Sequence, residues 1–225
     1  MTDTIHSNFG LLVLLMSALS LKLAVRYYKL VGLRMVEKSR FNADDKQKKA
    51  FKSFRIAREL MLKEQYAQAF NHLKAAEAFL SKSESSKTPF LSVLFAYQSI
   101  CIFHGGIGRA PDKESLATAE KACRLAYLGQ DDRAAYDALL ARAGILKGLG
   151  EYERAASDLE QCLALGQSLF PPHSPKQGGA LLTLAQVKEE QALLTEAIAL
   201  YKQAASLSNG KEKQIAQNRL AKLSK

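Results

Sequence analysis

Four histidines, three cysteines and one glycine-rich turn are the places where this chain of 225 residues could do chemistry. His6, His72, His104 and His173 have no cysteine or carboxylate at a ligand spacing, so each reads as a structural or surface histidine. Cys101, Cys123 and Cys162 form no C-x-x-C pair and have no histidine partner. That pattern speaks against a zinc site or a disulfide framework and fits a reducing compartment. All three fall in small-residue or apolar helical positions, where inert burial is expected. "HGGIGRAP" follows a helix, not a strand, and lacks the Lys-Ser/Thr of a phosphate loop, so it reads as a turn. Asp131 and Asp132 in "GQDDRAAYDALL" suit a helix start, and Glu189 and Glu190 suit a helix surface. No nucleophile, base and orienting group converge. The chain is therefore not expected to be an enzyme, and no metal, cofactor or small-molecule substrate is expected.

The elements that position these residues read as helices throughout. The chain is 48% hydrophobic, has no Trp and only 5 Pro, and shows no sustained apolar/polar alternation. Its net charge of +10 is concentrated. Residues 22–63 hold 13 Lys and Arg against 4 acids, whereas residues 64–225 hold 19 against 17. A basic connector ahead of a nearly balanced body argues against a nucleic-acid-binding domain.

"NFGLLVLLMSALSLKLAVRYYK" opens the chain at Asn8. From Phe9 to Val25 only Lys22 is charged, and these 17 residues reach the short end of a membrane span. Lys22, Arg26, Tyr27, Tyr28 and Lys29 suit a membrane interface, and the excess of positive charge after the span places the remainder on the cytosolic side. A single-pass signal anchor is expected, in a mitochondrial membrane in preference to the endoplasmic reticulum. Two alternatives stand beside it: a docked amphipathic helix, since only 13 apolar residues precede Lys22, and a mitochondrial presequence.

Self-similarity follows the connector. Residues 136–169 place Leu139, Ala143, Leu146, Gly150, Tyr152, Ala155, Leu159 and Cys162 in a helix–turn–helix rhythm. Arg142 stands there where a large apolar residue is usual. Residues 50–83 repeat the pattern with Ile56, Ala57, Leu60, Tyr66, Ala69, Leu73 and Ala76. Residues 178–210 repeat it with Leu181, Leu184, Ala185, Leu194, Ala197, Tyr201 and Ala204. A fourth pair, with Phe95 and Ala96 then Ala119, Cys123 and Ala126, fits only across an interruption at "HGGIGRAPDKES".

This recurrence resembles the tetratricopeptide repeat (TPR) family over residues 48–210. The resemblance implies an all-α superhelix of about four helix pairs, preceded by the apolar helix in residues 1–26 and the connector 27–47. "KEKQIAQNRLAKLSK" in residues 211–225 reads as a capping helix. Ala143 to Ala185 is 42 residues, longer than the common repeat, and looks like kinesin light chain spacing. The paired Asn residues of that family are absent, however: Leu182 and Thr183 stand there, so its cargo recognition is not carried over.

The resemblance also implies a groove lined by the first helix of each pair. It would receive Phe51, Phe54, Arg58 and Met61, then Phe90, Val93, Tyr97 and Ile100, then Asp137, Leu140, Gly144 and Lys147, and last Leu182, Gln186 and Glu189. Its first half is apolar and suits an amphipathic helix or extended peptide of a partner protein, or this chain's own residues 27–40. The carboxylate clamp of chaperone-binding members is not expected, since Phe54, Arg58 and Gly144 hold its positions. Two functions fit: a membrane-anchored adaptor that recruits a protein, or a subunit or assembly factor fixed in a large membrane complex.

Overall fold

The computed structural model describes residues 45–81 and 89–223. The chain divides into two compact units, Met1–Lys48 and Lys49–Lys225; of the first, only the opening of one helix is described. The signal anchor and most of the connector lie outside the described residues. Among the described residues there are nine α-helices, one 3-10 turn and no strand.

The helices form four hairpins and a cap. The first hairpin is α1 (Asp45–Leu62) with α2 (Tyr66–Ser81), and the second is α3 (Pro89–Gly105) with α4 (Pro111–Leu128). The third is α5 (Asp132–Gly148) with α6 (Tyr152–Leu169), and the fourth, after a 3-10 turn at Pro175–Gln177, is α7 (Gly178–Glu190) with α8 (Leu194–Leu207). The cap is α9 (Gly210–Leu223), which buries Ala216 against the last hairpin. Alanines fill the closest approaches: Ala57 and Ala69, Ala143 and Ala155, and Ala185 and Ala197 are all fully buried. Leu73, Leu94, Leu139, Leu146, Leu159 and Tyr201 fill the spaces between.

The second hairpin is less interrupted than its sequence suggests. His104 and Gly105 close α3, and Pro111 begins α4, so only residues 106–110 remain as a turn. Gly106 and Gly108 take φ of +58° and +104° there. The Glu114 carboxylate accepts from the backbone N–H groups of Arg109 and Ala110, which ties the turn back onto the new helix. Pro111 sits in the first turn of α4, where its missing N–H costs nothing. α5 is capped by Asp131, whose Oδ1 accepts from the Ala134 N–H at 2.7 Å.

Each first helix ends in the same way. Glu64, Gly106, Gly150 and Ala192 all take a left-handed φ just after it. The next residue's N–H then returns five positions to a carbonyl: Gln65 to Leu60, Ile107 to Ile102, Glu151 to Leu146 and Leu193 to Lys188. Two of the four left-handed positions are therefore not glycine. Replacing Ala192 by Gly should raise stability by roughly 0.5–1 kcal/mol, read from urea unfolding, because the strain of a Cβ there is removed.

Arg142 departs from the pattern for a reason internal to the third hairpin. Its Nε and one terminal nitrogen each meet an Asp158 oxygen at 2.7 Å, a two-pronged pair between α5 and α6. The pair holds the Arg142 guanidinium well above its ordinary pKa, against the opposing effect of burial. Asp158→Ala should cost about 2–4 kcal/mol by leaving the guanidinium half-buried without its acid. Arg142→Met combined with Asp158→Leu should cost less than that single change in the same unfolding experiment.

Candidate functional site

The first helices, α1, α3, α5 and α7, form one layer, and the predicted groove residues lie along it. At its N-terminal end the structure brings four aromatic rings together. Phe51 and Phe90 lie 5.5 Å apart between ring centres, Phe54 and Phe90 5.3 Å apart, and Phe54 and Tyr97 5.1 Å apart, the last two edge-on. Spacing explains the grouping: Phe51 and Phe54 are three apart on α1, and Phe90 and Tyr97 are seven apart on α3.

The rings are not equally available. Phe51 is 56% exposed, while Phe54 is 8% exposed and belongs to the first core. Phe54 is thus a core residue that closes the seam between the first two hairpins and leaves little for a partner to touch. Leu182 is likewise buried, among the residues of the last core. Val93 packs between two hairpins, Ile100 packs on the central core and Met61 on the first, all partly buried.

The middle of the face is charged. Arg58 is exposed, and its charge acts on both Tyr97 and Asp137. Burial raises the Asp137 carboxyl above its ordinary range, while Arg133, Arg58 and Lys176 pull it back. Arg133 and Lys176 also lie over the Phe170 ring at 5.7 and 5.1 Å. Phe170 anchors the Pro-rich insert: it meets Tyr136 edge-on at 5.1 Å, and the Tyr136 hydroxyl donates to the Lys176 carbonyl at 2.8 Å.

At the C-terminal end, Lys147, Tyr152, Gln186, Glu189, Glu190 and Arg219 line a cavity of about 190 Å³. Lys147 donates to the Gln186 side-chain oxygen at 2.6 Å. Burial lowers its pKa; Glu190 opposes this and Arg219 adds to it. Glu189 does more than meet solvent: it accepts from the buried Tyr201 hydroxyl at 2.5 Å and from Arg219 at 3.1 Å. Sequence reasoning missed Arg133, although it lies four residues before Asp137 on the same stripe. Lys176 and Arg219 had no local signal, because the insert and the cap helix bring them to this face.

The cysteines stay apart from this chemistry. All three are buried, and burial pushes Cys101 and Cys162 up to about 12 and Cys123 up to about 11. Thiols raised in this way make stability fall as pH rises past the unfolded thiol's ordinary range, where only the unfolded chain ionises. Lys22, Arg26, Tyr27, Tyr28 and Lys29 lie outside the described residues. Among the described residues, no helix is long and apolar enough to cross a membrane.

Three solved structures share this fold. A Podosopora anserina protein with nearly identical, TPR-like kinesin light chain repeats matches with a TM-score of 0.62 at 16% identity, covering 80% of this chain and 87% of its own. BtubC from P. vanneervenii matches at 0.59 and 14% identity, covering 81% and 85%. The apo form of RapI matches at 0.55 and 14%, covering 87% and 76%. No family model matches the chain, and no curated protein does. The fold is an all-helical, TPR-like stack of hairpins.

Two glycines on α5 should answer oppositely to alanine. A Cβ on Gly144 meets nothing within 4 Å, so Gly144→Ala should stabilise by roughly 0.5–1 kcal/mol. A Cβ on Gly148 would fall 2.3 Å from the Phe103 ring, and Gly148→Ala should destabilise by about 1–3 kcal/mol in the same unfolding series.

Proposed function

We propose that the chain is a membrane-anchored scaffold: the N-terminal apolar segment fixes it at a membrane, and the first-helix face of its TPR-like array docks a partner protein. It recruits rather than catalyses. The observation that supports this most directly is the Phe51 ring, large, apolar and 56% exposed, packed beside Phe90 on the layer of first helices. An exposed aromatic at the rim of an otherwise buried cluster is what a helical or extended peptide seats against. The apolar run from Phe9 to Val25 and the cations that follow it support the anchor, with the array on the cytosolic side and a mitochondrial membrane preferred.

Phe51 and Phe54 separate docking from folding. Phe51→Ala should change the unfolding free energy by less than about 1 kcal/mol, and Phe54→Ala should cost roughly 3–4 kcal/mol. A photo-crosslinker at position 51 of the membrane-bound chain should give a partner adduct, and one at the exposed Ala164 of α6 should not. Equal adducts from both positions would sink the groove reading. Alkaline carbonate extraction of the full chain beside one lacking residues 1–26 tests the anchor: only the shortened chain should leave the membrane.

A further inference from the structure

Glu64 and Lys211 belong to opposite ends of the array, the first in the turn between α1 and α2, the second in the opening turn of α9. Their side chains nevertheless meet: the Lys211 ammonium lies 3.7 Å from a Glu64 carboxylate oxygen. A stack built only from contacts between successive hairpins would keep these positions apart. Two further approaches lead to the same place. Arg58, late in α1, acts on Asp137, early in α5, past the intervening α3 and beside Asp131, Arg133 and Lys176. Glu212, next to Lys211, acts on Tyr136 of α5, and a Cβ on Gly179 of α7 would lie 3.3 Å from its carboxylate. The end of α1 and the start of α9 thus converge near the opening turns of α5 and α7. The ion pair joins them across the first-helix face.

A side chain at position 64 is held at a cost. Glu64 takes φ of +59°, the left-handed closure that Gly106 and Gly150 make in the inner hairpins without a Cβ. Ala192 bears the same strain with no polar group to use. Glu64 alone among the four carries a charge at the closure, and that charge reaches the far end of the array. The contact holds little besides charge. Leu62 beside it is 87% exposed, and the side chains of the pair are 71% and 84% exposed. Lys63 and Glu212, adjacent in sequence, offer each partner a competing charge. An exposed pair of this kind biases an equilibrium by roughly fivefold at most. A docked partner can overcome a bias of that size.

We propose, resting on the docking reading above, that Glu64 and Lys211 form a clasp across the first-helix face. Paired, they hold the first hairpin against the cap helix. Released, they let the two move apart and admit the partner's segment to α5 at Gly144. Space waits there, since a Cβ on Gly144 meets nothing within 4 Å.

Spin labels on Leu62→Cys and Lys213→Cys of the full chain, in non-ionic detergent, read the separation and leave the pair intact. The three native cysteines are buried and stay silent. With both charges native, the distance distribution should be short and narrow. Lys211→Glu should lengthen and broaden it, as should added salt, and Glu64→Lys with Lys211→Glu should restore it. Glu64→Gly should also lengthen it while raising the unfolding midpoint, which separates loss of the clasp from loss of the fold. On the membrane-bound chain, a photo-crosslinker at position 144 should give roughly two- to fivefold more partner adduct once Lys211→Glu is introduced. A crosslinker at position 51 reports docking itself in either background. A separation that Lys211→Glu leaves unmoved, or that the charge swap does not restore, would overturn the clasp and leave docking standing. So would a separation that lengthens while the adduct at 144 stays level, because the pair would then admit nothing. Absence of adduct at 51 from every variant would remove the docking reading and the clasp's role with it.

Discussion

Everything in this array depends on how closely the two helices of a hairpin can approach. At Ala57 and Ala69, Ala143 and Ala155, and Ala185 and Ala197 the side chains are fully buried and no larger than a methyl group. A bulkier residue at any of these positions would push two helices apart and open the seam to the next hairpin. The leucines and tyrosines of the core then have spaces of fixed size to fill, and the first helices come to lie in one layer. The aromatic patch, the cations around Asp137 and the cavity at Lys147 are all consequences of that layer. None of them comes from a single helix.

The hairpins were legible because small residues recur, and small residues are the constraint itself. The turns were only half legible. Gly106 and Gly150 mark left-handed closures that a reader can see, whereas Glu64 and Ala192 make the same closure with no glycine to announce it. The second hairpin looked interrupted because its glycines suggested a long loop, yet His104 and Pro111 are already helical and the turn is short.

The face itself was legible as a stripe and less so as a surface. Helical spacing placed Phe51, Phe54, Phe90 and Tyr97 together, and the four rings do meet. Spacing could not say that Phe54 closes a core while Phe51 stays open, since that depends on the neighbouring hairpin. Arg142 is a similar case. In sequence it breaks an apolar position, and in the fold it is matched by Asp158 from the facing helix, sixteen residues away. Lys176 and Arg219 could not be read at all, because an insert and a cap helix carry them in.

The left-handed closures are distributed unevenly. The two inner hairpins close on glycine, and the two outer ones close on Glu64 and Ala192, which must hold a strained backbone. In a stack where each hairpin leans on its neighbours, strain at these two turns lowers the cost of opening the first and last hairpins described. The exposed aromatic edge belongs to one of these ends, and the shielded Lys147 cavity adjoins the other. A molecule seated along the whole face would therefore tie down the two least stable parts of the stack at once. Its arrival would register as slower amide exchange at the ends, with the middle hairpins scarcely changed.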